Sequence, residues 1–173
     1  MIRKTATTML AAALLLVLAT GPAAAQEEPQ AMKDAVKSLR DDYFSAYGAG
    51  EPGTAAGLFK SDGVLLPPAA PSIRGPEQIR QRLGSFFENQ TVSLGAISEE
   101  TLVVGDRVVD RGILTVEVTP AGSDESSSDT GKYVLLAEKA GSEEGGESTW
   151  KIRWLMWNTD HPMRASGGGQ EED

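Results

Sequence analysis

Two runs of residues decide how this chain folds: TVSLGAISEETLVV at 91–104 and RVVDRGILTVEVT at 107–119, separated only by Gly105-Asp106. In both runs apolar side chains recur at every second position, the period of a strand with one buried face. Gly-Asp between them is the signature of a tight hairpin. The same period returns at Lys132 to Lys139 and at Trp150 to Asn158, so the C-terminal half reads as a four-stranded antiparallel meander. Its strands are Thr91 to Val104, Arg107 to Thr119, Lys132 to Lys139 and Trp150 to Asn158. The connections Ala121 to Thr130 and Gly141 to Thr149 are rich in Ser, Gly and acid. Neither has the acid and glycine spacing of a cation-binding loop, so both read as solvated hairpin loops.

Upstream of Thr91 the period is 3.6. Met32, Val36, Leu39, Tyr43 and Tyr47 recur at spacings of three and four, predicting a helix from about Gln30 to Gly48 that Gly50, Pro52 and Gly53 punctuate. A second helix is expected over Thr54 to Lys60, stopped by Ser61-Asp62-Gly63, followed by a short strand Val64-Leu65-Leu66 that Pro67 and Pro68 end. Gly75-Pro76-Glu77 opens a third helix, with proline where its missing N–H costs nothing, and Ile79, Leu83 and Phe86 or Phe87 mark its buried face. This order is α+β: three N-terminal helices cover one face of a strongly curved, mainly antiparallel sheet. The result is a cone-shaped barrel with an apolar interior, the ordinary place for a ligand.

The first residues read as an export signal. Arg3 and Lys4 precede the apolar run Met9 to Ala19, Gly21 and Pro22 break it, and Ala23-Ala24-Ala25 offers a small-residue cleavage pattern. Eleven apolar residues are too few for a membrane span, which needs about 20. Cleavage after Ala25 leaves 148 residues of net charge −11, against −9 for the whole chain. The organisation expected is therefore a signal peptide over 1–25, one domain over 26–163 and a disordered acidic tail over 164–173, in a periplasmic or secreted protein with no membrane anchor. The acidic balance argues against a nucleic-acid partner. The chain has no Cys, which removes disulfides, thiolate metal sites and cysteine nucleophiles, and its single His161 removes a histidine-rich metal site. No cofactor and no metal are expected.

Several stretches carry a family resemblance. Tyr43-Phe44-Ser45-Ala46-Tyr47-Gly48-Ala49-Gly50-Glu51 with Leu58-Phe59-Lys60-Ser61-Asp62-Gly63-Val64, and Ile73-Arg74-Gly75-Pro76-Glu77-Gln78-Ile79, resemble the opening of the nuclear transport factor 2-like superfamily. Its members include ketosteroid isomerases and SnoaL-like polyketide cyclases. Gly105-Asp106-Arg107-Val108-Val109-Asp110-Arg111-Gly112, Gly131-Lys132-Tyr133, Trp150-Lys151-Ile152 and Trp157-Asn158-Thr159-Asp160 resemble a functionally unassigned branch of it. The resemblance implies a conical α+β barrel, a pocket between sheet and helices, and frequent dimers through the open sheet face. It also implies that Tyr43 lies where the isomerase oxyanion tyrosine would be. The base position falls on Leu66 or Pro67 and the second acid near Leu135, none of which can exchange a proton, so steroid isomerisation by that mechanism is rejected.

Among polar residues, Asp110 shares the parity of Val108, Leu114, Val116 and Val118 and is expected on an apolar face. There it either pairs with a cross-strand arginine such as Arg153 or acts as a base with Tyr43 or Tyr47 orienting a carbonyl. Tyr43 and Tyr47 are expected to fill the core with their hydroxyls at its edge. Asp110 and Tyr43 are thus the catalytic candidates. The pocket is expected at Tyr43, Tyr47, Leu66 and Phe86 from the helices and first strand, and at Asp110, Tyr133, Trp154 and Asn158 from the meander. In the last strand, Trp150, Ile152, Trp154 and Met156 are expected on one face and Leu155 and Trp157 on the other, unless a bulge switches the parity. Apolar residues on both faces suggest a homodimer. Asn158 and Asp160 read as the end of a strand near the cone mouth or a capping turn, and His161 as a surface residue with only Asp160 beside it. Three functions compete: an exported module binding a small hydrophobic molecule, an isomerase or cyclase-type enzyme, and a ligand-free interaction domain. An ionisable Asp110 beside a tyrosine hydroxyl would favour the enzyme. A cone plugged by Trp and Phe would favour the interaction domain.

Overall fold

The computed structural model describes residues 23–141 and 149–161. Its elements are α1 (Ala23–Gly48), α2 (Pro52–Gly57), β1 (Phe59–Leu66), β2 (Ile73–Arg74), α3 (Pro76–Phe87), β3 (Gln90–Val104), β4 (Arg107–Pro120), β5 (Ser127–Lys139) and β6 (Trp150–Thr159). The six strands form one sheet in the order β2-β1-β6-β5-β4-β3. Every pairing is antiparallel except β1 with β6, which are parallel. The helices lie on the concave face, where Val36, Leu39, Tyr43, Phe44 and Tyr47 of α1 and Ile79 and Leu83 of α3 are buried against Val108, Leu114, Leu135, Leu155 and Trp157 of the sheet. This is the expected α+β cone: helices over a curved, unclosed, mainly antiparallel sheet. No helix among the described residues is long and apolar enough to cross a membrane.

The boundaries differ from expectation where pairing overrides local preference. α1 starts at Ala23 rather than Gln30, and the meander strand expected from Lys132 starts at Ser127, because β4 has partners for it as far as Val118. The second helix stops at Gly57, and Ser61-Asp62-Gly63 are not its stop. They lie inside β1, which runs from Phe59 with a register shift against β6 between Phe59 and Val64. A side chain at Gly63 would sit 2.8 Å from the Ile152 carbonyl, so glycine lets the two backbones approach. The two-residue β2, paired to Val64 and Leu65, is too short for any period to reveal. Residues 1–22 of the signal peptide expected over 1–25, most of the Gly141 to Thr149 loop and the tail expected over 164–173 lie outside the described residues.

The parity expected for the last strand is corrected. Ala137 pairs with Ile152 and Leu136 with Trp154, so Arg153 is an extra residue in β6. One inserted residue exchanges the faces beyond it. Ile152, Leu155 and Trp157 consequently point into the cone, while Trp154 and Met156 are half exposed on the convex face.

The curvature has a backbone cause. Gly112 of β4 and Gly131 of β5 are buried on the concave face. A Cβ at Gly112 would lie 1.9 Å from the Ile97 carbonyl oxygen, and one at Gly131 would lie 2.0 Å from that of Asn158. The neighbouring strands thus bend into the space a side chain would fill.

Candidate functional site

Asp110 is buried at 1% exposure on the inner face of β4, as its parity predicted, but its partners come from elsewhere. Its Oδ1 accepts from Ser98 Oγ at 2.5 Å and Thr101 Oγ1 at 2.7 Å; its Oδ2 accepts from Tyr133 OH at 2.8 Å and Arg40 Nη1 at 3.2 Å. The pairing with Arg153 is corrected. Arg153 is ion-paired to Asp62, and the arginine on Asp110 comes from α1, seventy residues away in the chain. Ser98 and Thr101 both reach one oxygen because β3 bulges between Ser98 and Glu100. Arg40 also holds Asp41 at 2.7 Å. Burial alone would lower the Arg40 pKa, but its hydrogen bonds to Asp41 and to the Tyr133 hydroxyl and the charge of Asp110 outweigh it and hold the guanidinium above its ordinary range. Burial and the hydrogen bond to Asp110 push the Tyr133 phenol up.

An Asp beside a tyrosine hydroxyl is therefore present, yet both carboxylate oxygens are occupied by two donors each. A general base needs an oxygen free to take a substrate proton. Asp110 borders neither the cone-mouth cavity nor the groove beside α1. The arrangement is that of a structural clasp joining α1, β3, β4 and β5.

Tyr43 sits deeper than a ligand site requires. Its ring is wholly buried, edge-on to Phe44 and Phe59 at 5.4 and 5.7 Å, and its hydroxyl has no hydrogen-bond partner among the described residues. Burial raises its pKa well above the ordinary phenol value. A buried hydroxyl without a partner costs about 1–3 kcal/mol. Tyr43→Phe is accordingly expected to raise stability by about 1 kcal/mol in urea unfolding, whereas a loss of stability would mean that the hydroxyl is bonded in solution.

The cavity lies at the cone mouth, about 130 Å³ in volume. Tyr47, Phe86, Trp157, Leu65 and Leu83 form its walls, Pro67, Pro68 and Ile73 its rim, and Arg82 its one charged member. Tyr47 meets Phe86 at 6.0 Å and Trp157 edge-on at 6.2 Å. Of the positions expected to line a pocket, the structure brings Tyr47 and Phe86 together here. Tyr43 is in the core, Asp110 and Tyr133 form the clasp, and Leu66 is not on the cavity wall. Trp154 is on the convex face, and Asn158 borders a separate convex-face groove with Lys132 and Met156. Pro67 does reach the cavity, so one of the two positions where the isomerase resemblance requires a base carries a side chain with no proton acceptor.

The end of β6 is tied to β5. Asp160 pairs with Lys132 and accepts from Thr130, and His161 Nδ1 lies 2.9 Å from Asp129 Oδ1. The Asp129 contact raises the His161 pKa. His161 therefore has an acid partner that its sequence neighbours did not disclose. Among the described residues no group of three His, Asp or Glu could hold a metal ion.

Sequence reasoning missed Arg40, Ser98, Thr101 and Arg82. Arg40 had a signal: four residues after Val36 and four before Phe44, it stands on the buried stripe of α1. Arg82 had a weaker one, between Ile79 and Phe86 on the inward stripe of α3. Ser98 and Thr101 had none, since only the bulge turns both to one face.

The sequence profile of the SnoaL-like domain matches residues 41–136. The chain belongs to the SnoaL-like family. Among solved structures, this SnoaL-like chain is similar to a ketosteroid isomerase-like protein from Erwinia carotovora atroseptica, with TM-score 0.67 and 15% identity over 75% of this chain and 97% of that one. It is also similar to a nuclear transport factor 2-like superfamily protein from Salmonella enterica, with TM-score 0.64 and 16% identity over 81% and 99% of the two chains. A third is the hexachlorocyclohexane dehydrochlorinase LinA-type3 from Novosphingobium barchaimii, with TM-score 0.65 and 15% identity over 83% and 97%. At these identities the likeness establishes the nuclear transport factor 2-like fold. No curated protein sequence matches the chain.

Proposed function

We propose that this SnoaL-like chain is an exported protein that holds a small apolar or aromatic molecule at the mouth of its cone and works as a homodimer. The observation that carries the binding reading is the cavity itself, walled by Tyr47, Phe86, Trp157, Leu65 and Leu83. An apolar recess between sheet and helices, with few polar groups, is what small-molecule sites are built from. Binding is favoured over isomerase or cyclase chemistry because, among the described residues, the cavity wall holds no carboxylate or imidazole, only the Tyr47 hydroxyl and Arg82 as polar side chains. Burial holds the Tyr47 phenol above its ordinary value, which makes it a poor proton acceptor near neutrality.

The convex face supports the dimer. Trp154, Leu136, Val109 and Leu102 stand in register across β6, β5, β4 and β3, forming one apolar row. Ile97, Ile113, Val134 and Met156 are exposed on the same face, with Arg111 among them tied to Glu99 and Glu100. Contiguous exposed apolar surface of this kind is normally covered by a partner. Export draws support from Pro29. In a chain beginning at Gln26 it falls in the first four residues of α1, whose N–H groups have no intrahelical acceptor.

Native mass spectrometry of protein recovered from the periplasm or medium tests all three parts together. The expected species is a dimer of chains beginning at Gln26 that carries a small molecule. Exported chains beginning at Met1 would overturn the export reading, and a monomer at micromolar concentration the dimer. Trp154→Glu should then yield a folded monomer, since a charge buried at an interface core is strongly disfavoured.

A further inference from the structure

The cavity has one charged member, the exposed Arg82, with no partner among the described residues. Among the described residues there are seven arginines, and six of them bond an acceptor: Arg40, Arg80, Arg107, Arg111 and Arg153 pair with carboxylates, and Arg74 donates to the Asp62 carbonyl. Arg82 bonds none of the described groups, yet it lines the cavity. Its helix neighbour Arg80 is held by Glu77 through two hydrogen bonds, at 2.7 and 3.1 Å, so the difference is not one of general exposure on α3.

Beside it stands a second idle donor. Tyr47 is 3% exposed and lines the same cavity, and its hydroxyl has no hydrogen-bond partner among the described residues. Arg82 lines that cavity with it, and its positive charge opposes the effect of burial on the phenol. An arginine and a tyrosine, both with donors unused among the described residues, thus border one apolar recess. A guanidinium presents paired N–H groups that match the two oxygens of a carboxylate.

The size sets the rest of the ligand. A cavity of about 150 Å³ is enough for benzene, and this one is about 130 Å³ and opens at its rim. Tyr47 packs on Phe86 and on Trp157, so the three rings form one aromatic wall against which a planar ring can lie. Resting on the binding reading above, we propose that the ligand is a small aromatic carboxylate, its ring against the wall that Tyr47, Phe86 and Trp157 form and its carboxylate on Arg82 and the Tyr47 hydroxyl.

Phenylacetate and its neutral isostere phenylacetamide separate the charge from the ring. Calorimetric titration of the full exported chain at neutral pH is expected to show phenylacetate binding about tenfold or more tightly than phenylacetamide. Arg82→Met keeps the side-chain volume and breaks no bond among the described residues, so the variant should stay folded. It is expected to abolish the preference by bringing phenylacetate down to the affinity of phenylacetamide, and Tyr47→Phe to weaken phenylacetate a few-fold. Equal affinity of the wild type for the two probes, or a preference that survives Arg82→Met, would overturn the carboxylate assignment and leave the cavity as a neutral apolar site. Binding of neither probe would overturn the binding reading itself and this inference with it.

Discussion

Asp110→Ala is expected to lower the unfolding free energy by about 3–5 kcal/mol, the cost of removing one partner from a buried ion pair. Arg40 is 4% exposed and would keep Asp41 and a long contact to the Tyr133 hydroxyl oxygen, while Ser98, Thr101 and Tyr133 would each lose the carboxylate they share. The loss should be readable as a lower urea midpoint with an unchanged slope. Adding Arg40→Met to the same chain should recover part of it, because the stranded charge is then gone and an apolar side chain of similar volume takes its place. The double-mutant cycle isolates the pair. A catalytic Asp110 predicts a different pattern: Asp110→Ala would leave the midpoint in place. Equal midpoints for wild type and variant would therefore return Asp110 to the list of functional groups.

The second large effect is expected at the two glycines of the bend. Gly112→Ala and Gly131→Ala place a methyl about 2 Å from a neighbouring strand's carbonyl oxygen, and the obstacle is backbone, which cannot swing aside as a side chain does. Overpacking ordinarily costs about 1–3 kcal/mol, and with the sheet itself obliged to move the expected loss is about 3 kcal/mol or more for each. Gly84→Ala supplies the control. It lies in α3 with open space around it, so the same substitution should there stabilise by about 1 kcal/mol through helix preference alone. Thermal unfolding of the three variants checks the sign as well as the size. Losses at Gly112 and Gly131 no larger than about 0.5 kcal/mol would mean that these glycines do not set the curvature.

Much of the fold was open to sequence reading because it follows from periods and punctuation. The 3.6 period through Val36, Leu39, Tyr43 and Tyr47, the proline at the head of α3, and Gly105-Asp106 between two alternating runs each report a local choice made by nearby residues. Errors gathered where a choice depends on residues far along the chain. Ser61-Asp62-Gly63 has the composition of a helix stop, yet β6 holds it as a bulged strand across more than eighty residues. Trp154 and Ile152 were expected on one face because an alternation carries no sign of the extra residue at Arg153. The face of Asp110 was legible from parity, whereas its partner was not. Arg153 lies on β6, with β5 between it and β4, and only the crossing of α1 over the sheet brings Arg40 to the carboxylate.

What the sequence by itself determined is the class of the molecule: helices first, a curved meander after, one apolar interior, and Asp110 turned into it. These are properties of side-chain periodicity, which neighbouring residues set together. The tertiary structure decided which polar groups are already satisfied and which are left over. It saturated Asp110 with four donors, stranded the Tyr43 hydroxyl in the core, and left Arg82 and the Tyr47 hydroxyl idle at the cone mouth. Hydrogen bonds depend on distances of about 3 Å between groups from different elements, and the order of residues along a chain does not contain those distances.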